Sequence, residues 1–109
     1  MEEVTDPDRS QQELVLCPAV DRAYRELGKR WMGLIVDVLR QRPAHFTEIV
    51  NTLSISKRVL SSRLKELMEL GVVDREDQGG NILYSLTESG EMLAGSIDVM
   101  REWAKKHLD

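Results

Sequence analysis

Cysteine is nearly absent: one, Cys17, stands in 109 residues. A lone cysteine excludes an internal disulfide framework and fits a reducing cytoplasm. With only His45 and His107 beside it, no set of side chains has the spacing of a structural zinc site, so no metal or cofactor is expected. Long apolar runs are missing too. None approaches the roughly 18 residues of a membrane-spanning helix, and the acidic N-terminus lacks the apolar stretch of a signal peptide. There is no nucleophile–base pair and no phosphate-cradling glycine loop, so an enzyme is not expected. What remains is a chain with 41% hydrophobic residues, long enough for one domain with a modest core.

Positive charge is also short overall, at a net charge of −4, which argues at first against a nucleic-acid partner. Its distribution reverses that impression. Residues 1–13 carry five acids and one base. Residues 22–65 carry ten Lys or Arg against three acids, a local charge of +7. Residues 66–109 carry ten acids against four bases. Binding to phosphates depends on the local field at the contact surface and not on the total.

The basic block ends in SKRVLSSRLKELMELGVV, residues 56–73. With Leu60, Leu64 and Leu67 on the buried face of a helix, Arg58, Ser61, Ser62 and Lys65 gather on the opposite face. Ser56 stands at the N-cap, and Lys57 and Arg58 follow in the first turn. Cations there oppose the helix dipole, at a cost of roughly 0.3–1 kcal/mol each. A helix chosen for stability alone would carry acids at those positions. A phosphate backbone supplies the missing anions.

Around this helix the chain divides into recognisable elements. Residues 1–13 are polar, acidic and aperiodic, and are expected to be disordered; residues 14–109 form the domain. Cys17 caps a helix from Pro18 to Leu27, ended by Gly28. A second, largely buried helix spans about Lys29 to Gln41 and stops at Pro43. A short third helix follows Thr47 as N-cap. Ser54 and Ile55 form the turn to the fourth helix, Lys57 to Leu70, with Ile55 and Leu60 as a hydrophobic staple. Gln78-Gly79-Gly80-Asn81 joins two short strands in a hairpin. The last helix runs from after Thr87 to about Leu108, with acids at its start and lysines near its end. Leu93, Ile97, Met100 and Trp103 lie on its broad apolar face, too wide for one small domain to cover. A dimer interface shared with the first helix is expected there.

Helices two to four followed by a hairpin make a mainly α (α+β) winged helix-turn-helix, with a two-stranded wing and terminal helices that form the dimer interface. Such a module lays its second helix-turn-helix helix in the major groove of double-stranded DNA. The residues resemble the HxlR-type regulators of bacteria. CPAVDRAYRELGKRW is similar to the opening of that family, HFTEIVNTLSISKRVLSSRLKELMELGVVDRE to its reading unit, and YSLTESG to the end of its wing. The resemblance covers about residues 16–104. It implies a homodimeric, cytoplasmic transcriptional regulator on a palindromic operator. It also implies a regulatory role for Cys17, because several such regulators sense quinones, aldehydes or oxidants at this position. A helix N-terminus favours the thiolate, the reactive form of the thiol. The alternative is an inert residue that caps the helix.

The expected DNA contacts are Thr47, Ser56, Lys57, Arg58, Ser61, Ser62 and Lys65, with Arg42 and His45 as further candidates for phosphate and Arg75 the one cation of an otherwise acidic wing (Asp74, Glu76, Asp77). Arg63 lies nearer the buried edge and is expected to pair with an acid of the protein. The competing reading is a winged-helix protein-interaction module without specific DNA binding, which the acidic wing and the net charge favour.

Overall fold

The computed structural model describes residues 9–108; most of the acidic tail lies outside the described residues. A single 3-10 turn, Arg9–Gln11, precedes five α-helices and three strands. These are α1 (Pro18–Leu27), α2 (Met32–Gln41), β1 (Ala44–His45), α3 (Phe46–Leu53), α4 (Lys57–Glu69), β2 (Val73–Gln78), β3 (Asn81–Leu86) and α5 (Glu88–His107).

The core gathers where α2, α3 and α4 meet the sheet. Met32, Ile35, Val36 and Leu39 of α2, Ile49 of α3, and Leu60, Leu64 and Leu67 of α4 are buried there. Ile55 and Leu60 are both buried, so the staple positions that precede and enter α4 are packed inward as their spacing requires. Beyond α4 the Val72 amide donates to the Leu67 carbonyl at 2.9 Å, the bond that closes a helix end around a left-handed residue, here Gly71 at φ 77°. That closure aims the chain directly into the hairpin.

The wing is longer and more regular than its polar sequence suggests. Strands β2 and β3 pair in antiparallel register from Val73 opposite Leu86 to Gln78 opposite Asn81. The two-residue connection, Gly79-Gly80, has φ values of 66° and 101°. Positive φ at both central residues suits the right-handed twist of the strands and favours glycine. The Asp77 carboxylate accepts from the Gly80 amide at 3.0 Å.

The expected two-stranded wing is present as β2 and β3, and β1 extends it to a three-stranded sheet by adding to the far edge of β3, Ala44 opposite Tyr84 and His45 opposite Leu83. Two expectations are corrected. Helix α3 begins at Phe46 with His45 at its N-cap; Thr47 sits in the first turn. The Glu48 carboxylate accepts from the His45 amide at 2.8 Å, and His45 Nδ1 bonds the Ile82 carbonyl at 2.9 Å. Strand pairing thus fixes the helix start two residues early. Helix α2 begins at Met32 and not Lys29, because Trp31 takes a left-handed conformation at φ 81°.

Helix α5 is seated by Thr87. Its hydroxyl donates to the Gly71 carbonyl at 2.6 Å and accepts from the Gly90 amide at 3.0 Å. Gly90 is buried so tightly that a Cβ there would lie 2.2 Å from the Val72 carbonyl oxygen. That oxygen also accepts from the Thr87 amide. Gly90→Ala is therefore expected to destabilise the fold by about 1–3 kcal/mol through overpacking, read as a lower urea midpoint at unchanged slope.

Candidate nucleic-acid interface

Helix α4 divides as its leucine spacing predicts. Leu60, Leu64 and Leu67 are buried, while Ser56, Lys57, Arg58, Ser61, Ser62 and Lys65 are exposed. The Ser56 hydroxyl accepts from the Val59 amide at 3.1 Å, completing the N-cap. At 1.5 Å per residue, the stripe from Arg58 to Lys65 is about 10 Å long. Thr47 is exposed in the first turn of α3. The Glu48 half of a capping box, bonded to the His45 amide, already occupies this helix start, so any phosphate contact by Thr47 falls to its side chain and the remaining first-turn amides.

Pairing separates the cations into two groups. Among the described residues, Arg25, Lys29, Arg40, Arg42, Arg63 and Arg101 form ion pairs with acids of the chain. Among the same residues Lys57, Arg58 and Lys65 of α4 form none; nor do Arg75 on the wing, Arg22 of α1, Arg30 in the turn after it, or Lys105 and Lys106 at the end of α5. Three of these unpaired cations share the exposed face of α4. Arg63, on the inner edge of the same helix, turns inward as its position predicts. Its Nε donates to the Arg30 carbonyl at 2.9 Å, and its Nη1 pairs with Glu66 at 2.8 Å.

Arg75 is exposed on β2 opposite Tyr84, between acids, and not at the hairpin tip. Arg42, at the α2–β1 corner, is committed to the protein. It bonds Glu48 at 2.8 Å and its neighbour's carbonyl at 2.9 Å. The Arg42 guanidinium, with the His45 amide, lowers the Glu48 carboxyl to about 2. A depressed carboxyl stabilises the fold in full above its ordinary value of 4.5 and loses that contribution as pH falls towards 2. The stability of Glu48→Gln is accordingly expected to change less with pH across this window than the native chain's, by urea unfolding at a series of pH values.

A second surface lies on the terminal helices. No residue of α1 is buried. The α5 stripe splits: Leu93 and Ile97 are half-buried against the chain's own core, whereas Met100 and Trp103 are 55% and 53% exposed. Met92 and Val99 are exposed beside them, as are Val20 and Tyr24 of α1. A groove of about 740 Å³ runs between α1 and α5 over Tyr24, Leu27, Ile97 and Trp103. Cys17 is exposed at the start of α1, and its side chain makes no cap hydrogen bond. What periodicity missed is a set of polar contacts between distant segments: Arg101 with Asp37, Arg40 with Asp98, and Lys29 with Glu66.

Residues 26–109 match the model of the HxlR-like helix-turn-helix. The chain belongs to the HxlR-like family. It is 40% identical over 98 residues to the HTH-type transcriptional regulator YodB of Bacillus subtilis, covering 86% of this chain and 88% of YodB. The reduced form of B. subtilis YodB superposes with a TM-score of 0.76 at 38% identity, covering 85% of this chain and 95% of that one. The quinone-bound YodB superposes with a TM-score of 0.75 at 40% identity, covering 84% and 99%. As an HxlR-like protein the chain is a DNA-binding transcriptional regulator, and α3, the Ser54–Ser56 turn and α4 are its helix-turn-helix.

Proposed function

We propose that this regulator binds a palindromic operator as a cytoplasmic homodimer, with α4 in the major groove. Arg58 and Lys65 reach base edges or phosphates; an arginine can bond guanine O6 and N7 together. Ser56, Ser61 and Ser62 keep the helix surface low and donate to phosphate or base, while Lys57, Thr47 and Arg75 hold the backbone. The observation that carries this reading is the exposed, unpaired cationic stripe of α4 beside cations that are paired within the protein. Two copies joined through α1 and α5, including Leu93, Ile97, Met100 and Trp103, present two reading helices to half-sites roughly 34 Å apart.

Cys17 is the proposed sensing residue. Its exposure at the start of an unburied helix and the quinone-bound state of the YodB relative support it. The thiolate sulfur adds to an electron-poor ring carbon of a quinone, and the ring oxygen takes up the proton, so no separate oxidant is needed. Quinone treatment is expected to weaken DNA binding by the native chain and not by Cys17→Ser. Unchanged affinity of the native chain after complete Cys17 modification contradicts this role.

The acidic wing favours a second reading, a winged helix that binds protein instead of specific DNA. Salt separates the two. Phosphate contacts by Lys57, Arg58, Lys65 and Arg75 in each protomer predict a log–log slope of affinity against salt of about −4 to −7. A slope near zero supports the protein-interaction reading.

A further inference from the structure

Helix α1 is poorly attached to the domain through apolar contacts. It buries no side chain, and only its last residue, Leu27, packs against the core. A polar cluster holds the turn that follows it. Lys29 Nζ donates to Glu26 at 3.1 Å and to Glu66 of α4 at 3.0 Å. Glu66 also accepts from Arg63 at 2.8 Å, and Arg63 Nε reaches the Arg30 carbonyl at 2.9 Å. The left-handed Trp31 shapes this turn, at φ 81° and ψ −19°. A bulky residue seldom adopts that conformation, which persists only where the surroundings impose it. The Arg30 guanidinium stacks over the Trp31 ring at 4.3 Å, and the Arg30 backbone carbonyl accepts from Arg63.

We propose that Lys29 and Glu66 are positioning residues that make the reading helix follow α1, so that a displacement of α1 reaches α4 through this cluster. The inference rests on the reading of α4 as the helix that enters the groove. The geometry favours this route because both ends are bonded. One end is the turn leaving α1, and the other is the inner edge of α4, on the side away from Arg58 and Lys65. The Lys29 ammonium beside it holds the Glu66 carboxyl below its ordinary range, and Glu66 in turn raises Lys29. Both partners therefore stay charged across neutral pH.

Amide hydrogen exchange of residues 57–69 in the full-length protein tests this by a double-mutant cycle. Ala23→Pro breaks α1 at its middle without touching a buried residue; Ala23→Gly replaces it should the proline variant fail to give a cooperative melt. Lys29→Met with Glu66→Gln cuts the cluster. With the cluster intact, loosening α1 is expected to speed α4 exchange about tenfold; with it cut, the same change adds less than about twofold. Lys29→Arg, which can still donate to both carboxylates, restores the coupling. A cluster that only stabilises the fold gives additive effects. Either no response of α4 to α1, or equal responses in both backgrounds, overturns the proposal. The readout uses neither DNA nor Cys17 chemistry, so loss of specific binding and loss of coupling are told apart.

Discussion

Arg58→Ala is expected to lower operator affinity by about 10–100-fold while leaving the melting temperature nearly unchanged. Its guanidinium is exposed on α4 and makes no ion pair among the described residues, so removing it costs the folded protein little. A bidentate contact to guanine distinguishes bases by about 1–3 kcal/mol, which sets this range. Arg63→Ala, five residues along the same helix, should behave in the opposite way. Its side chain is 24% exposed and bonds the Arg30 carbonyl and Glu66. Losing those bonds is expected to cost about 1–2 kcal/mol of stability after allowance for solvent screening. In a domain of this size, that lowers the melting temperature by about 4–16 °C. Fluorescence anisotropy on operator and non-specific duplexes, beside thermal melts, checks both. Equal losses of specificity from the two variants contradict the assignment of the α4 faces.

Met100→Glu with Trp103→Glu is expected to convert the proposed dimer to a monomer and to weaken binding to the proposed two-half-site operator by more than about 100-fold, because two half-sites can no longer be held together. Both side chains are about half exposed on α5, near exposed Met92 and Val99 and across a groove from α1. Apolar surface that wide on a small domain marks an interface, and a charge placed in an interface core must be desolvated without a partner. Neither residue belongs to the buried core, so the monomer should remain folded. Sedimentation velocity gives the oligomeric state, and circular dichroism the fold. A variant that stays dimeric contradicts the proposed interface.

Much of this architecture was legible because it rests on local patterns. The 60/64/67 leucine spacing gave the two faces of α4, and the Ile55–Leu60 staple gave its entry. Gly79-Gly80 gave the hairpin turn, and Thr87 gave the start of α5. What escaped depends on contacts between distant segments. Strand β1 is two residues long, too short to show a period, and exists because β3 offers it an open edge. The same pairing moved the α3 cap from Thr47 to His45. Trp31 in a left-handed conformation delayed α2 by three residues, although Gly28 is the residue that composition offers as a break. The pairs Arg40–Asp98, Asp37–Arg101 and Lys29–Glu66 join residues 37 to 64 apart. Charge patterning within one helix cannot reveal them. The apolar face of α5 was legible as a stripe, but its division between core and exposed surface was not, since it depends on how far α2 reaches along α5.

The most direct test of the central claim is selection of bound fragments from the source genome, sequenced after washing at moderate salt. The account predicts enrichment of a few promoter fragments that share a palindrome with half-sites about one helical turn apart. Recovery of nothing above background, from protein shown to be folded and dimeric, would contradict it.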